Sequence, residues 1–407
     1  MSPLEKRAND VVEKINVPKQ FGAVFSSEFL AVVPAEKLSG IFGALTEQFG
    51  RAVRVKSVTL KNSSSGAISI EFEKNVVALM DLSIDPASSL VNGLLITSTE
   101  NSASSLEDLV GEMKKVPGQT GLTIVRLDGN TLKPLVSHNA DKQFAIGSTF
   151  KLYVLAELVR SIEMGQRHWT DVVELNQASL PSGTLQSWPQ GSPLTLHSLA
   201  SFMISISDNT ATDQLIETLG REPIEKMMMA TGNSNPMRSF PFLKTLELFK
   251  IKGEPQPNFA TNYAAKSPDE RRKLLATGVA AFPKEKINLG FLAKPSHIDT
   301  LEWFASPNDL ARVMNWLRLH STVPNDKTRG VLSINKALPD AEVSQWQYVG
   351  YKGGSETGVM SMTYLLQSRK GDWYVVSGSC NDEQSAVNEG AFASMMTKAV
   401  SLLRSRA

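Results

Sequence analysis

The sequence predicts an α+β protein built around a five-stranded antiparallel sheet, with flanking helices and an inserted all-α lobe. Five segments have strand patterns bounded by turn residues: 121–127, 132–138, 345–352, 359–366 and 373–379. Between the second and the third of them, residues from about 148 to 335 show mainly helical periodicity, which predicts the inserted lobe. Helices are predicted at about 104–115 and 384–403, before and after the strands. Two early strands and three late ones therefore form one sheet whose middle is assembled from distant segments.

Residues 1–100 predict a separate, small α+β domain ahead of this sheet. Apolar residues recur at helical spacing in three segments, and four strand-like runs follow: 53–60, 67–72, 76–84 and 91–96. The segment contains no His, Tyr, Trp or Cys, so it is poor in catalytic side chains. Three helices followed by a meander of strands resemble the NTF2-like (ketosteroid-isomerase-like) module. The predicted domains are therefore 1–100 and 104–407.

The composition excludes several classes of function. The chain has 407 residues, of which 42 are Lys or Arg and 41 are Asp or Glu, so its formal charge of +1 provides no field that would attract nucleic acid. Cys380 is the single cysteine and the five histidines lack the spacing of a zinc site, so we expect neither a metal nor another cofactor. No apolar run reaches the roughly 18–20 residues of a membrane-spanning helix. We expect a small-molecule substrate, and the oligomeric state stays open.

The amino terminus leaves the compartment open. Charged residues in MSPLEKRANDVVEKIN occupy the place where a signal peptide needs an uninterrupted apolar stretch. We therefore expect a cytoplasmic protein if the chain is complete, and a periplasmic or secreted one if a leader has been removed.

A candidate nucleophile lies where the chain changes from strand to helix. Ser148 and Lys151 are three residues apart at the predicted helix start, so the lysine amine can reach the serine hydroxyl. A serine hydroxyl needs a nearby base, and lysine becomes one when burial or a second cation lowers its pKa. The free N–H groups of the helix start can also stabilise an oxyanion. A second copy of the spacing, Ser333 to Lys336, lacks this context and is interpreted as a helix surface.

Two later segments supply the other groups that this chemistry needs. They are Ser207-Asp208-Asn209, at the end of a predicted amphipathic helix, and Tyr351-Lys352-Gly353-Gly354-Ser355, at the end of the third sheet strand. Lys352 provides a fixed cation for a substrate carboxylate and helps to lower the pKa of Lys151. The two glycines allow the backbone of a substrate to lie alongside the strand.

Together, the segments that begin at Ser148, Ser207 and Lys352 resemble the three motifs of class A serine β-lactamases, and penicillin-binding proteins share this scheme. The resemblance covers about residues 104–407 and implies the β-lactamase-like fold, with an ester on Ser148 as the first product. It implies the following roles: Ser148 as nucleophile, Lys151 as acylation base, Ser207 with Lys352 as proton donors to the leaving nitrogen, the N–H groups of Ser148 and Ser355 as oxyanion hole, and Asn209, Gly353, Gly354 and Ser355 as substrate-binding residues.

The sequence departs from the class A pattern in two ways. Gly353 stands where the family usually has Thr or Ser, and Ser355 is expected to supply the missing hydroxyl. The Glu-x-x-Leu-Asn string that holds the hydrolytic water is absent between the second and third motifs. The nearest acid, Glu247, is interpreted as a surface helix acid. Glu302 and Trp303 could border the substrate cleft, but the interpretation as loop packing is preferred.

These features predict a serine acyl hydrolase that opens β-lactams or related amides and esters through a Ser148 acyl-enzyme, with slow or non-standard deacylation. Two alternatives stay open. One is a non-hydrolytic, penicillin-recognising sensor or binding protein, and the other is a peptidase or esterase of the penicillin-binding family. The two-domain plan and the missing glutamate are similar to those of the β-lactamase-like protein of clavulanic acid biosynthesis.

Overall fold

The structure, a computed structural model, describes residues 2–101, 103, 105–324 and 326–404. The described residues fall into two units, one of residues up to Glu112 with Asn388–Leu402, and one of Met113–Val387 with the residues from Leu403. Residue 104, where the second domain is predicted to start, lies outside the described residues. The predicted domain ranges stay a prediction.

The amino-terminal unit contains three helices followed by a four-stranded antiparallel sheet in the order β1-β2-β3-β4. These elements are α1 (Pro3–Asn16), α2 (Ser27–Val32), α3 (Ala35–Phe49), β1 (Ala52–Leu60), β2 (Ser65–Phe72), β3 (Val76–Ile84) and β4 (Val91–Asn101). Helix α1 begins at a capping box, because the Ser2 hydroxyl accepts a hydrogen bond from the Glu5 N–H and the Glu5 carboxylate accepts one from the Ser2 N–H. The likeness of this unit to NTF2-like modules stays a prediction.

The rest of the chain alternates helices with short and long strands. Its first part comprises α4 (Leu106–Met113), β5 (Gln119–Asp128), β6 (Thr131–His138), β7 (Phe144–Ala145), α5 (Lys151–Glu163), β8 (Val172–Glu174), β9 (Pro193–Thr195), α6 (Leu196–Ser205), α7 (Asn209–Leu219), α8 (Arg221–Ala230) and α9 (Thr245–Lys252). Its second part comprises α10 (Phe259–Ala264), α11 (Pro268–Leu274), β10 (Phe304–Ala305), α12 (Pro307–Leu319), α13 (Lys327–Ser333), α14 (Asp340–Val343), β11 (Tyr348–Glu356), β12 (Val359–Gln367), β13 (Trp373–Asn381) and α15 (Glu389–Arg404). None of the described helices is long and apolar enough to cross a membrane.

The five-stranded antiparallel sheet is confirmed. Its order is β11-β12-β13-β5-β6, so the three late strands join the two early ones through the pairing of β13 with β5. Helix α12 packs against β5 and β13 at this junction. The sheet therefore places the end of β11, which carries the third motif, in the same unit as the turn that follows β6 and carries the first motif.

The predicted element boundaries differ from the structure in several places, and three of these differences have a clear physical cause. The helical lobe also contains β8, β9 and β10, which are too short to give a periodic signal. Strand β11 continues past Lys352 to Glu356, because the glycines keep the ladder with β12. Helix α15 begins at Glu389 rather than near residue 384, because the Asp382 carboxylate binds the N–H groups of Gln384 and Ser385 in a turn.

Helix α5 holds the first motif in a fixed position. Apart from Arg160 and the last residue, Glu163, its side chains from Lys151 to Ile162 are buried, so the helix is surrounded by protein rather than lying on a surface. It packs against α7, α8 and α12. A helix that is packed on all sides cannot shift without moving the core.

Gly354 allows strand β11 to pass directly over the turn that precedes α5. A Cβ atom at this position would lie 2.4 Å from the carbonyl oxygen of Ile146 and from the backbone nitrogens of Ser148 and Thr149. All three atoms belong to the backbone and cannot rotate away. The third motif therefore needs glycine at this position so that its strand can contact the first motif.

We expect Gly354→Ala to destabilise the protein by about 1–3 kcal/mol, because the added methyl group overpacks a backbone contact. Gly330→Ala is the matched control, since its Cβ would meet no atom within 4 Å on helix α13 and alanine is the better helix former. Denaturant unfolding of the two variants measures the difference. Equal stabilities would show that the close approach at Gly354 does not constrain the fold.

Candidate active site

Ser148 lies in a short turn that leads into the buried helix α5. The turn is a single 3₁₀ segment, Gly147–Phe150, and Gly147 has a positive φ of 45°. Ser148 is half-buried and borders two adjoining clefts, of about 330 Å³ and about 290 Å³. Ser355 borders both clefts as well. The candidate nucleophile and the end of the third motif therefore face the same hollow.

Ser207 connects the two lysines of the motifs. Its Oγ accepts a hydrogen bond of 3.1 Å from Lys151 Nζ and another of 3.1 Å from Lys352 Nζ. Its φ is 57°, a left-handed conformation that non-glycine residues rarely adopt. Three of the four side chains that are predicted to converge, those of Lys151, Ser207 and Lys352, therefore meet at one hydroxyl oxygen, and the fourth, Ser148, borders the same cleft.

Lys151 is completely buried and uses all three of its N–H donors on the second motif. It donates to the Ser207 carbonyl at 2.6 Å, to Ser207 Oγ and to Asn209 Oδ1 at 2.8 Å. The predicted contact with the Ser148 hydroxyl is therefore not among its hydrogen bonds in this structure. Burial and then the charge of Lys352 lower the pKa of Lys151 well below its ordinary value, although Asp213 and Asp208 oppose the shift.

Lys352 is the second buried cation of the site. It donates to Ser207 Oγ and to the carbonyl of the neighbouring Gly353. Burial lowers the pKa of Lys352 to about 7. Near neutral pH this lysine therefore changes between a cation and a neutral amine.

Asp208 fixes the second motif to the loop beside it. One oxygen of its buried carboxylate caps helix α7 through the N–H of Ala211, and the other accepts from the N–H groups of Thr184 and Leu185. Gly183, with a φ of 97°, packs so closely on Asp208 that a Cβ would lie 2.2 Å from the carboxylate oxygen. This packing positions the turn that presents Ser207.

Asn209 is held by contacts on both ends of its amide. Its oxygen accepts from Lys151, and its nitrogen donates to the carbonyl of Leu180 at 3.2 Å. The residue also borders the smaller of the two clefts. Its predicted role, to bind the side-chain amide of a substrate, stays a prediction.

A second group of charged residues lies in the wall of the smaller cleft. Lys252, at the end of α9, donates to Glu302 at 2.8 Å and to Glu356 at 2.7 Å. The Lys252 and Glu302 side chains are 1% and 0% exposed, and that of Glu356 is 18% exposed. Burial opposes the charge of Lys252, but the two carboxylates together outweigh it and raise the pKa of Lys252. Burial and the charge of Glu302 raise the pKa of Glu356 to about 8.

The structure changes the interpretation of several acids. Glu302 and Trp303 border the cleft, which is the alternative left open by the sequence, and Trp303 is at the same time buried and stacked on Phe150. Glu247 is bound by Arg221 at 2.7 Å and by the Lys244 N–H, which makes it the acid of a helix cap. The lysine–carboxylate group was missed because its members lie 50 and 104 residues apart, with no local pattern that connects them.

Comparisons with known proteins agree on one family. The model described as the beta-lactamase enzyme family matches residues 101–336, more than half of the chain. The chain is similar to a solved β-lactamase from Sphaerobacter thermophilus, at 22% identity and a TM-score of 0.52, over 75% of this chain and 98% of the other.

Two further solved structures resemble the chain. A class A β-lactamase from Mycobacterium abscessus is 16% identical, with a TM-score of 0.52 and coverage of 74% of this chain and 99% of the other. The protein PBP-A is 17% identical, with a TM-score of 0.50 and coverage of 72% and 95%. At these identities the likeness concerns the fold. No curated protein matches the chain by sequence.

We expect Lys252→Met to destabilise the protein by about 3–5 kcal/mol, because the variant leaves buried carboxylates without their cation. The control is Lys133→Met, which removes a lysine from an exposed ion pair with Asp128 and should change stability little. Unfolding by denaturant near neutral pH measures both. A loss for Lys252→Met no larger than that of the control would contradict the importance of this buried group.

Proposed function

The chain belongs to the beta-lactamase enzyme family, and from this premise we propose that it forms a covalent ester on Ser148 with β-lactams or related amides and esters. The observation that carries the proposal is the Ser207 hydroxyl held between Lys151 and Lys352 at the edge of the Ser148 cleft. Two buried amines with lowered pKa values, joined through one hydroxyl, form a path along which protons can move.

Acylation requires a base, an oxyanion site and a proton donor. In the proposed reaction, the neutral Lys151 amine accepts the Ser148 proton as Ser148 Oγ attacks the carbonyl carbon of the substrate. The N–H groups of Ser148 and Ser355 stabilise the oxyanion that forms. The C–N bond then breaks, the leaving nitrogen takes a proton from Ser207, and Lys352 or Lys151 returns a proton to Ser207. With a lactam the single product of this half-reaction is an ester on Ser148 that carries the opened ring, whereas an acyclic amide or ester also releases its amine or alcohol.

Deacylation is proposed to be slow. The two carboxylates that border the smaller cleft, Glu302 and Glu356, are both bound to Lys252. Burial and the charge of Glu302 raise the pKa of Glu356, which favours its protonated form, and the ion pair with Lys252 occupies its carboxylate, so it is a poor acceptor for a proton from water. A reaction without a positioned general base loses about 10²–10⁴-fold in rate.

The same observation favours a second candidate, a sensor or trap that retains its ligand. An acyl-enzyme that water attacks slowly is a signal that persists. The lifetime of the adduct distinguishes the two functions, because an enzyme returns to its free mass within the time of the assay and a trap does not.

We expect a fluorescent penicillin to label the wild-type protein, and Ser148→Ala to remain unlabelled because the attacking oxygen is gone. Ser333→Ala is the matched control, since Ser333 has the same spacing to a lysine but its hydroxyl bonds to the carbonyl of Gly330 on helix α13. A time course of intact mass measures both labelling and release. If Ser148→Ala is labelled as fast as the wild type, the proposed nucleophile is wrong.

The rate of acylation should depend on pH in a way that reflects both lysines. Lys151 acts as a base when it is neutral, so acylation rises as pH increases through the pKa of Lys151. Lys352 binds a substrate carboxylate when it is charged, so this contribution falls as pH increases above about 7. We therefore expect a bell-shaped profile for a penicillin and a rising profile that reaches a plateau for its uncharged methyl ester.

Lys352→Arg separates these two contributions, because arginine keeps its charge throughout this pH range. In this variant the falling limb for the penicillin should disappear. Stopped-flow acylation rates from about pH 5 to about pH 9 provide the measurement. Identical profiles for the penicillin and its methyl ester in the wild type would exclude Lys352 as the carboxylate-binding cation.

A further inference from the structure

The phenol of Tyr351 lies over Gly353 in the third motif. A Cβ atom on Gly353 would lie 2.0 Å from the Tyr351 hydroxyl oxygen and 2.8 Å from Cζ of the ring. Residues i and i+2 of a strand share a face, so the phenol extends along β11 across the side-chain position that Gly353 leaves empty. The ring occupies the space in which the family usually has the side chain of Thr or Ser.

Strand pairing holds the phenol in this position. Tyr351 lies directly opposite Tyr364 on β12, and the two rings pack with centroids 4.9 Å apart at 38°. Tyr364 is fully buried, and its own hydroxyl donates to the carbonyl of Ala337 at 3.1 Å. A buried, hydrogen-bonded partner therefore fixes the half-buried Tyr351 ring on one face of the strand.

The phenol also borders the reacting groups. Tyr351, Lys352, Gly353, Ser148 and Ser207 all line the larger cleft, of about 330 Å³. Lys352 donates to the carbonyl of Gly353, next to the position that the phenol covers. Tyr351 and Lys352 therefore border the same cleft as Ser148, so a substrate anion in this cleft can contact a hydroxyl and an ammonium as a charge-assisted pair of donors.

We propose that the Tyr351 hydroxyl replaces the hydroxyl that Gly353 lacks, and that it binds the carboxylate of the substrate together with Lys352. This inference rests on the proposed acylation of Ser148. It assigns to Tyr351 the role for which Ser355 is the candidate by sequence. A phenol donates a hydrogen bond without carrying charge, so its contribution persists when Lys352 loses its proton above about pH 7.

Residues 351 and 353 are coupled by this geometry. A threonine at 353 places atoms where the phenol lies, so the phenol and a side chain at 353 exclude each other. Either residue can provide a hydroxyl at this point of the cleft, but only one of them at a time. The acylation rate of a variant changed at residue 353 alone should therefore differ from that of a variant changed at both 351 and 353.

The first test compares acylation by a penicillin with acylation by its methyl ester, which lacks the carboxylate charge. Tyr351→Phe should slow acylation by the penicillin by about tenfold or more and leave the methyl ester nearly unchanged, because a hydrogen bond to a charged group is lost. Tyr348→Phe is the matched control on the same strand, since that phenol donates to the Arg329 carbonyl and does not border either cleft. It should keep the wild-type ratio of the two rates.

The second test uses the coupling. Gly353→Thr alone should slow acylation by both probes, because the new side chain displaces the phenol and the strand beneath it. The double variant Tyr351→Ala with Gly353→Thr should recover the preference for the penicillin over its methyl ester. A double variant that is slower than Gly353→Thr alone would contradict the exchange of one hydroxyl for the other.

The outcomes separate this inference from the proposed function. If the wild type is labelled but Tyr351→Phe keeps the wild-type ratio of the two rates, the role of Tyr351 is wrong and the acylation of Ser148 stands. If neither probe labels the wild type, both proposals are overturned. Melting temperatures of all variants identify any loss that comes from unfolding.

Discussion

The site depends on the burial of two lysines against one serine hydroxyl. Two ammonium groups that share a desolvated acceptor repel each other, and burial penalises the charge of each. Burial lowers the pKa of both lysines, and the charge of Lys352 lowers that of Lys151 further, so at least one amine can accept a proton near neutral pH. If either lysine were exposed to water, its pKa would return to the ordinary value. Its amine would then stay protonated near neutral pH and could not accept a proton. The chemistry therefore follows from the position of Ser207 Oγ rather than from any single residue type.

That position requires several local constraints at once. Ser207 has a left-handed backbone, which is held by the cap that Asp208 forms on α7 and by the close packing of Gly183. Lys352 reaches the same oxygen because Gly354 lets β11 approach the turn before α5. Each of these contacts is between backbone or buried groups, so a larger residue or a flexible link at any of them would separate the lysines. The fold as a whole brings the start of α5, the turn at Ser207 and strand β11 within hydrogen-bond distance of one another.

Much of this arrangement could be predicted from sequence, because it follows from local pattern. The strand order and the convergence of Ser148, Ser207 and Lys352 on one cleft follow from strand periodicity and from motifs with a known order. The ion pairs of Lys252 were not predictable, because pairing across 50 and 104 residues leaves no trace in spacing. The sequence does indicate that Tyr351 lies close to the side-chain position of residue 353, because residues two apart on a strand share a face. This spacing predicts that residues 351 and 353 are in contact. It does not predict whether the hydroxyl of Tyr351 or that of Ser355 faces the cleft.

In the proposed function, the second half-reaction is limited by the same burial that makes the first one possible. A base for water must be unprotonated and free to turn toward the ester, whereas Glu356 has a raised pKa and is bound to Lys252. In the proposed reaction the lysines that act in acylation would then have to act a second time, because Lys252 holds both carboxylates of the smaller cleft. The proposed persistence of the ester therefore depends on the ion pairs of Lys252.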